Sequence, residues 1–396
     1  MKKKALVLGA GRQGKAVIYD LERSPLVGEI IAADNKAPQR REYFEKNEEL
    51  HLEKTAFVKV DATEKRNIGQ LLSRHKPDIM VCLLPPQMAA TAAGAAVEHG
   101  THFVGVSDDS DIIHLDQTAK KRGLSILPEM GMDPGIDLIL GRLALKELDT
   151  VWGLHSYAGG IPETGPNKEN PLGYKITWTF QGVLESYHRP ARLLRGGDEI
   201  NISGRDIFDP HHVHTIEISE LGTLEAFPNG DALHYAKLYG MTGGSKDVGR
   251  FALRWPGHCH FWRIMSALGF LDDAPIKIKG KLITPVEFLT EHLTPRLQFK
   301  EKERDVAILR AHAWGFASGT PIRAAYNMID NRDMRTGFFA MNRTVGFAAS
   351  IGAQMILSGH IDGKGVLSPV RDVPPEEFLQ ELKKRGITVE RQITEE

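Results

Sequence analysis

Cysteine is nearly absent from this 396-residue chain, which has only Cys82 and Cys259. Two cysteines cannot build a disulfide framework, and so few thiols fit a reducing compartment. An excess of one charge sign is missing too, since 50 Lys and Arg stand against 51 Asp and Glu. That balance excludes a global electrostatic pull toward nucleic acid or an anionic membrane. No apolar run approaches the ~20 residues of a membrane span. After "MKKK" only "ALVL" precedes the first glycines, too short for the apolar core of a secretory signal. A cytoplasmic protein with no nucleic-acid and no membrane partner is expected. With 41% hydrophobic and 26% charged residues the chain is globular in composition, and its length calls for more than one core.

The first third does have regular alternation. The apolar runs "KALVLG", "GEIIAAD", "AFVKVD", "DIMVCLL", "THFVGV" and "LSILP" are separated by segments such as "RQGKAVIYDLER" and "KRNIGQLLSRH". In those segments apolar residues recur at helical intervals. Strands alternating with helices predict an α/β fold, a doubly wound parallel Rossmann sheet. At the first strand–helix junction "GAGRQG" supplies Gly9, Gly11, Arg12, Gln13 and Gly14. Gly9 permits the tight turn, Gly11 admits a pyrophosphate close to the backbone, and Gly14 lets helix and strand pack closely. The bland reading is three glycines in an ordinary turn. Asp34 ends the next strand, 20 residues after Gly14, where an acid accepts from ribose hydroxyls and repels a 2′-phosphate. NAD is therefore the expected cofactor, with NADP kept open by the neighbouring Lys36, Arg40 and Arg41. Asp61 in "VDATE" is placed near the adenine or as a helix cap. Leu84 and Pro85 in "LLPPQM" shape the loop at the carboxyl edge, on the nicotinamide side.

Between them the runs "VWGLHSYAGG", "GYKITWTF", "VGRFALRW", "VAILRAHAWG" and "PIRAAYNMID" read as longer strands of a second α/β domain with a mixed or antiparallel sheet. The expected domains are 1–131 for the dinucleotide, 132–338 for substrate and dimerisation, and 339–396 returning to the first. "EMGMDPGIDLIL" raises a separate question, because an Asp-Pro-Gly turn joins a strand to a helix. Asp133 is either an N-cap with Pro134 at the first helical position, or a proton acceptor aimed at a cleft.

The motifs "GMDPGID", "SYAGG", "NPLGYKITWTFQGVL", "LEAFPNGDALHYAKLYG", "LRWPGH" and "NRTVGFAASIGAQMILSG" together resemble the saccharopine reductase family, in order and over nearly the whole chain. That family includes saccharopine dehydrogenases and lysine 6-dehydrogenases. The resemblance implies a split Rossmann domain, a middle domain carrying substrate contacts, and NAD(P)-dependent chemistry at a side-chain carbon–nitrogen bond of a lysine derivative. The saccharopine branch carries an aromatic residue and a His after the fourth-strand proline; this chain reads "PPQMAA" there.

Such an oxidation needs the nitrogen lone pair, so an ammonium with a pKa of about 10.4 must first lose a proton. Asp133 is the candidate base, with Tyr157 and Lys175 as further catalytic candidates. Substrate carboxylates call for the planar fork of an arginine, and Arg254 matches the family's substrate arginine. Asn170, Tyr174 and His258 complete the expected substrate contacts. Tyr and Lys in such segments also serve as packing or snorkelling residues. The histidines of "DPHHVH" and "PGHCHFW" lack a completing ligand set, so no metal is expected. The substrate is a small amino acid, saccharopine by preference, with oxidative deamination of lysine as the alternative. A third reading is a dinucleotide-binding redox sensor without turnover. A homodimer through the middle domain is expected.

Overall fold

The computed structural model describes every residue except 1, 48, 109, 242 and 396. The chain forms two compact units: 1–139 with 333–388, and 140–332 with 389–396. It therefore passes between them three times. The expected boundaries were 131/132 and 338/339; the last eight residues belong with the second unit because they add a strand to its sheet.

The first pass runs β1 (Lys3–Leu8), α1 (Arg12–Arg23), β2 (Val27–Asp34), α2 (Ala37–Glu45), β3 (Thr55–Lys59), α3 (Lys65–His75), β4 (Ile79–Cys82), α4 (Pro86–His99), β5 (His102–Gly105), α5 (Asp116–Lys121), β6 (Ser125–Leu127) and α6 (Ile136–Lys146). The second unit continues with β7 (Thr150–Pro162), α7 (Phe180–Ser186), β8 (Ala191–Arg195), β9 (Asp198–Ile202), β10 (His214–Ile218), β11 (Gly222–Pro228), α8 (Ala232–Leu238) and β12 (Asp247–Arg254). After α9 (His258–Ala267) come β13 (Ile276–Ile278), β14 (Lys281–Ile283), α10 (Pro285–Leu293), β15 (Asp305–Ala317) and β16 (Thr320–Asn331). The return carries α11 (Ala340–Ser358), β17 (Gly365–Val366), α12 (Pro369–Asp372) and α13 (Pro375–Lys384), and β18 (Val389–Glu395) follows.

In the first unit the sheet order is β17-β6-β5-β4-β1-β2-β3, all parallel, the doubly wound Rossmann arrangement with β17 added at one edge. Its central strands are apolar on both faces because helices cover both. Leu6, Leu8, Ile31 and Met80 pack with Ile68 and Leu72 of α3 and Ala92 and Ala96 of α4. Across the other face α11 lies close to α1, and glycine makes this possible: a Cβ on Gly346 would stand 2.6 Å from Ala16 and 2.7 Å from the Gln13 carbonyl. One buried carboxylate ties the return to the first pass. Asp20 of α1 accepts a bidentate pair from Arg385 (2.7 and 2.9 Å) and a third bond from Ser350 of α11 (2.6 Å).

In the second unit the strand order is β10-β11-β12-β7-β15-β16-β18, with β8 paired to β12 and β9 to β8. β7 and β12 are parallel and their other neighbours antiparallel, giving the mixed sheet. Helices α7, α9 and α10 cover one face over Phe180, Leu184, Phe227 and Trp262. Among the described residues no helix is long and apolar enough to cross a membrane.

"GYKITWTF" departs from the strand expected of it. Its backbone finds no neighbouring strand; Tyr174 N–H instead donates to the Asn170 side chain (3.2 Å) and Ile176 N–H to the Leu297 carbonyl (2.9 Å). The segment is a buried loop leading into α7.

Candidate functional site

At the carboxyl edge of the parallel sheet the glycine loop is built for close approach. Gly9 has φ +95° and packs on Leu83 and Leu84; a Cβ on Gly14 would lie 2.0 Å from the Gly9 carbonyl. A Cβ on Gly11 would meet only open space. Gly11 precedes α1, whose first turn has neither a side-chain cap nor an acid. Its N–H groups and dipole thus face a cradle suited to a pyrophosphate. Arg12 and Gln13 open the helix, and Pro85 leads into α4 below Leu84.

Asp34 is buried and already engaged. It accepts from the Lys36 N–H (2.8 Å) and from Arg40 Nε (3.3 Å). An acid neutralised by its own arginine repels a 2′-phosphate far less than a bare one, which weakens the sequence argument for NAD. Asp61 uses its carboxylate on Thr63, accepting from its N–H (3.0 Å) and hydroxyl (2.6 Å), a local turn that holds it below the usual carboxylate range. Lys15 lies half-buried with its ammonium 3.0 Å from the Tyr43 ring centre. Burial, then Arg40 and Arg12, bring it down to about 8.

Asp133 lies just past β6, and α6 starts only at Ile136, so Pro134 is not its first residue. The turn is closed by Gly131 N–H on the Pro134 carbonyl (3.0 Å) and by Gly135 N–H on the buried Asp137 (2.8 Å). Asp137 thus supplies a carboxylate to the backbone of this turn.

In the second unit Arg254 ends β12 on the helix-covered face. Its guanidinium is enclosed by Tyr174, Tyr187 and Phe227, with ring centres 5.4, 5.7 and 5.9 Å away. Nε donates to the Tyr187 hydroxyl (3.0 Å) and Nη1 to the Leu253 carbonyl (2.8 Å). Tyr187 in turn meets His258 Nε2 at 2.8 Å. Burial first, and Arg254 second, hold His258 well below its ordinary pKa, so its ring is neutral and Nε2 is free to accept the hydrogen bond of the Tyr187 hydroxyl. Glu225, opposite Arg254 in the ladder, turns its oxygens to the N–H groups of Gly257 and Cys259, both at 2.9 Å. Among the described residues no carboxylate pairs with Arg254, which is 7% exposed. A guanidinium is always charged, and burying one without a counter-ion is costly. Here ring faces and two neutral acceptors surround that charge.

The structure brings Tyr174, Arg254 and His258 together and adds Tyr187, which the sequence did not single out. The others lie elsewhere. Tyr157 points to the opposite face of the sheet, where it stacks on Phe251 (5.2 Å), meets His155 (3.2 Å) and His214 (3.1 Å), and is pushed up to about 12 by burial. Lys175 is bound to Glu303 (2.5 Å) and the Gln298 carbonyl (3.2 Å). Asn170 holds the backbone of Tyr174, a positioning role. The histidine motifs are divided among separate partners: His211 on Asp209, His214 on Tyr157, His258 on Tyr187.

A glycine cradle on a doubly wound parallel sheet defines the class, a dinucleotide-binding fold, and the chain carries a second unit that buries an arginine. The comparisons with known proteins make this particular. Residues 5–127 match the saccharopine dehydrogenase NADP binding domain and residues 131–387 the saccharopine dehydrogenase C-terminal domain. The chain belongs to the saccharopine dehydrogenase family. It is 24% identical to saccharopine dehydrogenase [NADP(+), L-glutamate-forming] of Saccharomyces cerevisiae, covering 98% of both chains. It is 26% identical to mitochondrial alpha-aminoadipic semialdehyde synthase of Mus musculus, over 99% of this chain but 48% of that one. It thus spans about half the length of the mouse relative. The fold matches the apo saccharopine dehydrogenase (L-Glu forming) of S. cerevisiae with TM-score 0.82 at 22% identity, covering 99% of this chain and 100% of that one.

Proposed function

We propose that the protein is an NADP-dependent dehydrogenase acting on the side-chain carbon–nitrogen bond of saccharopine or a close analogue. The observation that carries this reading is the buried Arg254 with no carboxylate partner among the described residues. Its Nε and Nη1 are occupied, leaving Nη2 to take a substrate carboxylate. The aromatic walls exclude water and strengthen that contact. Tyr187 and His258 hold the guanidinium in place as a neutral relay, so no second cation competes for the anion.

Bound at the glycine loop, NADP would supply the hydride acceptor for the carbon beside the substrate nitrogen. Asp133 is the proposed acceptor of the proton that this nitrogen must lose. Water would then add to the C=N bond so formed, opening it to a carbonyl compound and a free amine. The relatives named for saccharopine and NADP(+) support this substrate and cofactor.

The test is kcat/KM for saccharopine and for lysine, each with NADP and NAD, followed by reduced-nicotinamide absorbance. Saccharopine preferred by more than about tenfold, a difference of about 1.4 kcal/mol, supports the proposal. Lysine turned over while saccharopine is inert replaces it with a lysine 6-dehydrogenase. Dinucleotide binding without turnover of either leaves a redox sensor.

A further inference from the structure

Three cations gather beside the buried end of β2. Arg40 reaches Asp34 from α2, while Lys15 and Arg12 rise from the first turns of α1. Among the described residues no carboxylate pairs with Lys15, and its ammonium lies on the ring of Tyr43. The cluster stands at the strand end where the adenosine ribose of a bound dinucleotide falls in this fold. Among the described residues the carboxylate bound to the cluster is Asp34, and Arg40 holds it.

We infer that Lys15 and Arg40 form the 2′-phosphate site that selects NADP, with Tyr43 as the platform beneath Lys15 and Arg40 also masking Asp34. The inference rests on the cofactor reading above and assigns it to side chains. A 2′-phosphate is dianionic above its second pKa of about 6, and it turns the mutual repulsion of these cations into attraction. NAD brings only a hydroxyl there, so among the described residues Lys15 is left with no anion beside it. Asp34 thus keeps an acid's place without enforcing an acid's usual choice.

The charged and titratable groups around Lys15 are Arg12 on its own helix and Arg40 and Tyr43 from α2, with Asp34 behind Arg40. The arginines stay charged, so Lys15 gives the site its pH dependence. Its proton is present below about 8 and lost above, and a bound dianion raises that midpoint. Affinity for the phosphate should therefore fall as pH rises from about 7 to about 9.

The experiment is titration calorimetry on the full chain with 2′,5′-ADP and 5′-AMP, fragments that differ by the 2′-phosphate alone. The readout is the ratio of the two dissociation constants; 5′-AMP binding reports that the unit is folded. The unmodified protein should prefer 2′,5′-ADP by at least about tenfold, most at pH 7. Lys15→Met should shrink the ratio about tenfold and flatten its pH dependence, and Lys15→Arg should keep the ratio while also flattening it. Arg40→Met should shrink it further, since it removes a cation and uncovers Asp34. A normal ratio and pH profile in Lys15→Met would overturn the inference and leave the NADP reading standing. No preference for 2′,5′-ADP in the unmodified protein overturns both.

Discussion

Arg254 combines two roles that are usually separate, since it is both a core residue and a charge. Replacing it with Met keeps most of its volume inside the aromatic enclosure and removes only the fork. The loss of one charge-assisted contact should lower kcat/KM about ten- to a hundredfold, or about 1.5–3 kcal/mol. Arg254→Lys should rescue little, because an ammonium cannot reach Tyr187 and a carboxylate together with the same planar geometry. Steady-state kinetics beside a thermal melt checks this; a variant that melts normally and keeps its kcat/KM removes Arg254 from the site. Arg254 stands out in "LRWPGH" because a cation at a strand end is legible. Its partner Tyr187 is not, since 67 residues separate them and "LESYHRP" has no pattern to distinguish that ring from any packing tyrosine. Lys175 shows the converse: a lysine among motif residues invites a chemical role, while Glu303, 128 positions away, takes its charge.

Elements were more legible than side chains where periodicity is strong. α1 and α3 coincide with "RQGKAVIYDLER" and "KRNIGQLLSRH" because their apolar stripes recur at the helical repeat. α2, "APQRREYFE", has almost no apolar stripe, so its periodicity does not mark a helix. The β-rich appearance of "GYKITWTF" misled because its apolar residues fill a core from a loop, which no local rule distinguishes from a strand. A pH effect belongs at this scale. On the sheet face away from Arg254, His214 of β10 meets Tyr157 of β7, which contacts His155, itself 3.1 Å from Asp247 of β12. Burial, then His155 and Arg195, bring His214 down to about 4. Its unfolded value is near 6.5, so between these values the unfolded chain binds the extra proton. The stability from neutral His214 is complete above about 6.5 and lost as pH falls through about 4. Its size is on the order of 1 kcal/mol once solvent screening is allowed for. His214→Phe should flatten the slope of stability against pH in that window, read from urea titrations at several pH values; an unchanged slope counts against the assignment.

At the scale of the whole molecule, one face of the second sheet invites a partner. Arg310, His312, Trp314, Arg323, Ala325 and Asn327 lie at alternate positions of β15 and β16 and stay half-buried, while their immediate neighbours Ala311, Ala313, Ala324 and Tyr326 are buried. We expect a second copy to cover this face in a two-fold dimer. Light scattering at micromolar concentration should give twice the chain mass, and Trp314→Glu should return it to the single-chain value; an unmodified protein that scatters as a monomer refutes the expectation. A different consequence follows from the three crossings between units. Residues 140–332 are translated before the segment 333–388 that completes the first unit. At about 5–20 residues per second, a ribosome needs roughly ten to forty seconds to make that stretch. Throughout it, the side of α1 that α11 will cover has no helix upon it, and Asp20 has neither Ser350 nor Arg385. The Rossmann half thus stays without its last helices until the whole of the second unit's main segment has been made.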